Sequence, residues 1–213
     1  MYEYLKFEVE IIRDVSKHCA YWPEARAAED DSGLGGNRQY MDLRRMPWTE
    51  AARVNQLEEE LVTRMESATD PEDEYEKIDE ELYEDPEGLY GLDLGVASSV
   101  VALSAARCLP FSSCNAGAFG GSHHERYPLV AFYAREQSLG LLLECAVTSG
   151  IGLVVEETGE VVAYAADIRH MRAFANILVS KRADFRSIRS PRASHTGSRL
   201  ERGKSSGTSR TRR

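Results

Sequence analysis

The feature that most constrains the fold of this chain is a series of alternating helix and strand patterns between Gly91 and Ser180. Apolar residues at helical spacing alternate with short apolar or β-branched runs in the order α-β-β-α-β-β-α. This order predicts a layered α/β (α+β) domain, in which helices cover one face of a mainly antiparallel sheet of about four strands. We expect the N-terminal helices to pack around this domain.

The expected elements of this region follow from its periodicity and its turn residues. Asp93 could cap a first helix that ends near Arg107. The Thr158-Gly159 pair predicts a hairpin between the last two strands. The remaining elements are predicted as strands over residues 108–113, 128–134, 151–156 and 160–165, and as helices over 136–148 and 168–180.

The N-terminal part of the chain has helical patterns on an acidic background. Two apolar stripes predict a helix over about residues 4–19, although the local alternation of apolar and polar residues also fits a strand. After a polar, glycine-containing connection, apolar residues at helical spacing predict a long helix that starts near Thr49. A proline at the first position of a helix is favourable, so a shorter helix is expected to begin at Pro71.

The charge of the chain is strongly asymmetric. Residues 181–213 contain eleven Lys and Arg against two acidic residues, a net charge of +9, whereas the remainder carries −18. This tail has almost no large apolar groups after Ile188, so burial cannot offset the entropy lost on ordering. We therefore predict a helical, acidic N-terminal region (1–90), a mixed α/β domain (91–180) and a disordered basic tail (181–213).

The four cysteines point to a reducing compartment. The chain opens without the apolar core of a secretory signal, and no stretch reaches the ~20 apolar residues of a membrane span. A cytoplasmic protein with reduced thiols and no membrane partner is therefore expected. Cys19, Cys108 and Cys145 lie in apolar patterns, where a free cysteine commonly serves as a small buried side chain.

The segment from Cys108 to Phe132 concentrates the residue types that carry chemistry. Cys114 could act as a nucleophile, with His123 or His124 as the base and Glu125 as the group that orients it. Glycines would let the chain fold back, and exposed backbone N–H groups could bind a ligand or an oxyanion. The candidate ligand-binding residues are Ser112, Ser113, Asn115, Gly117, Gly120 and Gly121.

The same segment does not match a metal-binding pattern. Zinc sites favour ligand pairs two to four residues apart, and the spacing of Cys108, Cys114 and the two histidines differs from this. A His-x-Glu at residues 123–125 is like half of a zinc-deaminase signature, but the required Pro-Cys-x-x-Cys is absent. The sequence therefore assigns no metal site and identifies no cofactor.

The segment Ser112-Ser113-Cys114-Asn115-Ala116-Gly117 resembles the Ser-Ser-Cys-Ser-Gly-Arg strand motif of the wybutosine-synthesis tRNA methyltransferase family. The order of elements over residues 92–180 is also similar to that of the family. The arginine of the family motif is Ala116 or Gly117 here, so the resemblance implies topology and not methyl-donor chemistry. It implies a pocket lined by residues 112–117 at a strand end, and RNA as a partner class.

Two functional hypotheses follow. The first is a non-catalytic domain that binds a small ligand or a protein partner through the 112–127 loop. The second is a small cysteine- and histidine-dependent enzyme, or an enzyme related to RNA modification. The Arg-rich tail could also neutralise nucleic-acid phosphates, or it could only keep the chain soluble. The sequence predicts neither the identity of the ligand nor the oligomeric state.

Overall fold

The computed structural model describes residues 2–16, 43–85, 87–120, 123 and 125–188. In chain order these residues form β1 (Arg13–Asp14), α1 (Trp48–Ser67), α2 (Pro71–Glu84), α3 (Ala97–Ala105), β2 (Leu109–Cys114), β3 (Leu129–Tyr133), α4 (Glu136–Ser149), β4 (Gly152–Val155), β5 (Val161–Tyr164), α5 (Ile168–Ser180) and α6 (Arg182–Ser187). The predicted mixed α/β class is confirmed, and the elements from β2 to α5 lie within one residue of their expected bounds.

The strands form one sheet in the order β1-β4-β5-β3-β2. The pairs β2–β3, β3–β5 and β4–β5 are antiparallel, as expected for a sheet of four strands. The short fifth strand, β1, pairs parallel to β4 at the sheet edge. The ladder between β2 and β3 has an irregularity between Pro110 and Ser112, within β2.

The predicted N-terminal helix is wrong over the described residues 2–16, which contain no helix and include the short strand β1. The backbone of Ile12 accepts a hydrogen bond of 2.9 Å from Leu153 of β4. The Tyr164 hydroxyl accepts a bond from the Ile12 N–H and donates one to the Glu10 carbonyl, both at 3.0 Å. These partners are distant in sequence, so the pairing with the sheet edge overrides the local helical periodicity.

The main hydrophobic core lies between the helices and one face of the sheet. Every residue of α3 is buried. The same core contains fully buried side chains from α1, β3, β4 and α5, which include Met65, Phe132, Leu153 and Phe174. Helices from before and after Gly91 therefore share one core.

The chain remains helical beyond the start of the predicted disordered tail. α6 begins at Arg182, and its Phe185 is 4% exposed. The Phe185 ring lies 5.9 Å from that of Trp48, centroid to centroid. The expected tail boundary at residue 181 is therefore wrong, because this one aromatic side chain finds a place in the core.

The described residues include two of the three cysteines that are predicted to lie in the core as buried side chains, Cys108 and Cys145. Cys108 and Cys145 are buried, which confirms their predicted place in the core. Cys19 and the tail residues 189–213 lie outside the described part of the chain. Among the helices that the structure describes, none combines the length and the apolar character needed to cross a membrane.

Candidate functional site

Three side chains of different chemistry meet where β2 ends. The Cys114 Sγ lies 3.3 Å from the His123 Nδ1, and the same nitrogen lies 3.9 Å from the Asp93 Oδ2. The donor atoms of all three residues lie within 4.8 Å of one another. We refer to these residues as the Asp93–Cys114–His123 cluster. Its Asp93 and His123 side chains are 40% and 21% exposed, so the cluster is open to solvent on one side.

Asp93 was expected to cap α3 through its side chain, and this expectation is wrong. The helix has no side-chain cap from its preceding residue. The Asp93 backbone carbonyl accepts hydrogen bonds from the N–H groups of Val96 and Ala97 at the start of the helix. Its carboxylate instead accepts a bond of 3.2 Å from the backbone N–H of Asn115, so it faces the end of β2.

The N-terminus of α3 is capped by a residue of α1. Glu58 is 1% exposed, and its carboxylate accepts hydrogen bonds from the N–H groups of Gly95, at 2.8 Å, and Ala97, at 3.1 Å. The Ser98 hydroxyl donates a further short bond to it. Burial raises the pKa of Glu58, while these hydrogen bonds oppose the rise. The buried carboxylate holds in place the backbone that directly follows Asp93.

Asn115 connects the two chain segments of the cluster. It is 1% exposed. Its side-chain amide donates a hydrogen bond of 3.1 Å to the carbonyl of Leu94, next to Asp93. Its side-chain oxygen accepts one of 3.0 Å from the N–H of Gly117, which closes an Asx turn. The side chain therefore fixes both the neighbour of Asp93 and the turn after Cys114.

The turn after β2 has an unusual backbone and an aromatic anchor. Ala116 and Gly117 both adopt left-handed conformations, with φ of 58° and 71°. Phe119 is 7% exposed, and its ring stacks on Tyr75 of α2 at a centroid distance of 5.3 Å. The Tyr2 ring lies against the same phenylalanine at 6.3 Å. Contacts with these two aromatic rings thus hold the turn against the body of the protein.

The Cys114 sulfur receives hydrogen bonds from the backbone. The Ala116 N–H donates to it at 3.3 Å, and the backbone of Glu125 also bonds to it. Burial raises the pKa of the Cys114 thiol, and the nearby carboxylates of Asp93 and Glu125 raise it further. The backbone bonds act in the opposite direction, because hydrogen bonds to a thiolate stabilise the charged form.

The sequence-predicted site residues occupy different positions around this cluster. Ser112 and Ser113 lie in the β2–β3 ladder, opposite Ala131 and Val130. Gly120 adopts φ of 113° at the end of the turn, in open space. His123 contacts Cys114, whereas the exposed Glu125 reaches it through its backbone.

Two of the predicted site residues, Gly121 and His124, lie outside the described residues. The third residue of the cluster, Asp93, is predicted from the sequence only as a helix cap and not as a site residue. It lies 22 residues before Asn115, its hydrogen-bonding partner, and outside the reactive segment. In the sequence, Asp93 looks like an ordinary helix cap. Only the tertiary structure, which brings the end of β2 next to the start of α3, shows that Asp93 belongs to the cluster.

Comparison of the chain with family models, with curated proteins and with solved structures finds no match.

Proposed function

We propose that the protein is a non-catalytic ligand-binding domain, with its binding site in the 112–127 loop and centred on the Asp93–Cys114–His123 cluster. The observation that carries the proposal is the convergence of a carboxylate, a thiol and an imidazole, with donor atoms within 4.8 Å of one another on a partly open surface. Three different polar groups with a common focus are typical of a site that fixes the position of a ligand.

The support of the cluster also favours binding. Asn115 and Glu58 are buried polar residues whose hydrogen bonds hold the backbone on both sides of the cluster. Phe119 packs against the rings of Tyr2 and Tyr75. A site whose supporting residues are already fixed loses little entropy when the ligand binds, and this improves affinity.

A cysteine- and histidine-dependent enzyme is the second candidate, and the Sγ–Nδ1 distance of 3.3 Å favours it. In a nucleophile–base–orienter arrangement, however, the two ring nitrogens of the histidine have separate partners. Here Nδ1 is the atom close to both Cys114 and Asp93. A carboxylate beside the thiol also opposes formation of the thiolate that would attack a substrate. Both features favour binding over nucleophilic catalysis.

The proposal includes a cytoplasmic location and a role for RNA as a further partner class. Free thiols at Cys108, Cys114 and Cys145 are consistent with a reducing compartment. The resemblance of residues 112–117 to a tRNA-modification motif supports RNA as a partner, and so does the Arg-rich composition of residues 189–213. Small ligands and protein partners are the other classes.

A thermal unfolding screen of the full chain tests the proposal. The probes are Zn²⁺, inorganic phosphate, adenosine monophosphate and a short single-stranded RNA. At about a hundredfold excess over Kd, a bound probe should raise the Tm by about 5–10 °C. We expect one probe to do this in the wild type and in the control His170→Ala, but not in Cys114→Ala or His123→Ala.

Alkylation kinetics provide the complementary test against catalysis. The alkylation rates of Cys108, Cys114 and Cys145 are measured by peptide mass spectrometry between pH 5 and 9. The measurement is made on the wild type and on the His123→Ala and His124→Ala variants. We expect Cys114 to react slowly and independently of both histidines. Fast labelling of Cys114 that one of these substitutions abolishes would replace the binding function with an enzymatic one, and the absence of a Tm shift with every probe would also contradict the proposal.

A further inference from the structure

We propose that the Asp93–Cys114–His123 cluster is a binding site for a single zinc-class transition-metal ion, with Asp93 Oδ2, Cys114 Sγ and His123 Nδ1 as its three protein ligands. The inference rests on the proposed binding function and names the ligand of that site. It differs from the sequence-based prediction of no metal site. That prediction considered ligands only between Cys108 and Phe132, a segment that does not contain Asp93.

The distances between the donor atoms fit a tetrahedral ion. With ordinary zinc–sulfur, zinc–nitrogen and zinc–oxygen bonds, the ligand atoms of a tetrahedral site are separated by about 3.4–3.6 Å. The cluster has Sγ–Nδ1 at 3.3 Å and Nδ1–Oδ2 at 3.9 Å, and its remaining distance is below 4.8 Å. A movement of about 1 Å by the half-exposed Asp93 side chain would bring all three atoms into the range that zinc needs.

The direction of the imidazole agrees with this geometry. One nitrogen, Nδ1, is close to both the thiol and the carboxylate. Three donor atoms that point toward one position can coordinate a single ion there. A proton relay would instead need the two ring nitrogens of His123 to have different partners.

The charges also balance around a divalent cation. When the ion binds, the Cys114 thiol loses its proton to solvent, and the thiolate and the Asp93 carboxylate together carry two negative charges. With a neutral His123, an ion of charge +2 makes the site neutral. Without a cation, repulsion between a thiolate and the Asp93 carboxylate at this distance would favour the protonated, neutral thiol.

The donor set selects the class of metal. Mg²⁺ and Ca²⁺ are bound mainly by oxygen ligands, so a thiolate and an imidazole make poor sites for them. One sulfur, one nitrogen and one oxygen suit Zn²⁺ and its spectroscopic substitute Co²⁺. Three protein ligands leave the fourth tetrahedral position for water or for a bound molecule, as in zinc sites that keep an open position.

The surroundings resemble the outer shell of a metal site. The sulfur accepts backbone hydrogen bonds from Ala116 and Glu125, and these would stabilise a metal-bound thiolate. The Asp93 carboxylate accepts the Asn115 N–H at 3.2 Å, which orients it toward the other two ligands. Buried Asn115 therefore acts as a positioning residue for the metal.

Metal titration of the full-length, chelator-treated protein tests the inference. Zn²⁺ is titrated in competition with a chromophoric chelator, and Co²⁺ is titrated in parallel to detect the thiolate-to-cobalt charge-transfer band. The ligand variants are Cys114→Ser, Asp93→Asn and His123→Ala. The controls, His170→Ala and Asp85→Asn, remove a histidine and an exposed carboxylate elsewhere.

We expect the wild type and both controls to bind zinc equally, and each ligand variant to bind at least about tenfold more weakly. Cys114→Ser should also abolish the charge-transfer band. Asp93→Asn is nearly isosteric and half exposed, so it tests the site even if a cysteine or histidine variant does not fold. Zinc binding that is absent from the wild type, or unchanged in Asp93→Asn, would overturn the inference.

The failure of this inference can be told apart from failure of the binding function. If phosphate, adenosine monophosphate or RNA raises the Tm through Cys114 while Zn²⁺ and Co²⁺ do not bind, the site is a ligand site of another class and only the zinc inference falls. If no probe binds, or if Cys114 shows histidine-dependent alkylation, the proposed function falls as well.

Discussion

The Cys114 Sγ lies 3.3 Å from the His123 Nδ1, although the two residues are nine positions apart in the chain. Between them the backbone passes through a turn with left-handed residues and the packed Phe119. This contact is one edge of the Asp93–Cys114–His123 cluster, and the stability of its surroundings determines how well the cluster can bind.

Asn115→Ala is expected to weaken zinc binding without removing a metal ligand. The substitution deletes the side-chain bonds to Leu94 and Gly117, and with them the support of both chain segments of the cluster. Loss of such outer-shell support typically lowers metal affinity by about 10–100-fold. Competition titration measures the effect. Unchanged affinity in a folded Asn115→Ala protein would show that the residue only stabilises the fold.

Glu58 gives the fold a distinct dependence on pH. Its pKa in the folded state is raised by burial above the ordinary value of 4.5, although hydrogen bonds and Arg172 act against the shift. The folded state therefore binds a proton that the unfolded state has lost, and the free energy of unfolding falls as pH rises through this range. Glu58→Gln cannot titrate, and it can preserve the hydrogen bonds. Relative to Glu58→Gln, the wild type should therefore lose stability as the pH rises above the ordinary carboxyl pKa of 4.5 and through the raised pKa of the folded state.

Chemical denaturation at several pH values measures this difference. Glu58→Ala serves as the contrast, since it leaves the N–H groups of Gly95 and Ala97 without their partner. It should lower the free energy of unfolding by about 2 kcal/mol or more at every pH. A wild type and a Glu58→Gln variant with parallel pH profiles would contradict the assignment of a raised pKa.

Gly152→Ala and Gly140→Ala form a matched pair with opposite expected effects. A Cβ at Gly152 would lie 2.3 Å from the ring of Tyr164, the residue that ties the N-terminal strand to the sheet. We expect destabilisation of about 1–3 kcal/mol. Gly140 lies inside α4 with open space around it, so alanine there should stabilise the protein by up to about 1 kcal/mol. Thermal unfolding of both variants checks the pair, and similar effects at the two positions would contradict the packing described for Tyr164.

Removal of residues 189–213 tests the proposed contact with RNA. If these basic residues neutralise phosphates, deletion should weaken binding of a short single-stranded RNA. It should also reduce the salt dependence of binding, by about 0.7 in log–log slope for each phosphate that the shortened chain no longer neutralises. Zinc affinity should not change, because the cluster lies within residues 93–123. Equal salt slopes for the full and shortened chains, measured by fluorescence anisotropy, would place any RNA-binding surface elsewhere.

The sequence predicts the α/β region well because local signals mark its elements. Apolar runs, Gly150 and the Thr158-Gly159 turn bring the predicted bounds from β2 to α5 within one residue of those observed. The N-terminal segment fails because Ile12 and Glu10 find their partners in Tyr164 and β4, far along the chain. No local pattern records such pairing.

The candidate site, too, could be predicted from the sequence only where its residues are close together in the chain. Cys114 and His123 could be selected from their residue types, because they lie in one short segment rich in glycine. Asp93 could not, since its pattern fits a helix cap and its true partner is the backbone of Asn115. Recognition of a three-ligand site therefore required the tertiary structure.

The most direct test of the account is anomalous diffraction from crystals of the full chain grown with Zn²⁺, with data collected on both sides of the zinc absorption edge. The account predicts one anomalous peak within about 2.5 Å of Asp93 Oδ2, Cys114 Sγ and His123 Nδ1. A peak bound by other residues, or no peak in crystals that contain zinc, would contradict the assignment of these three side chains as metal ligands.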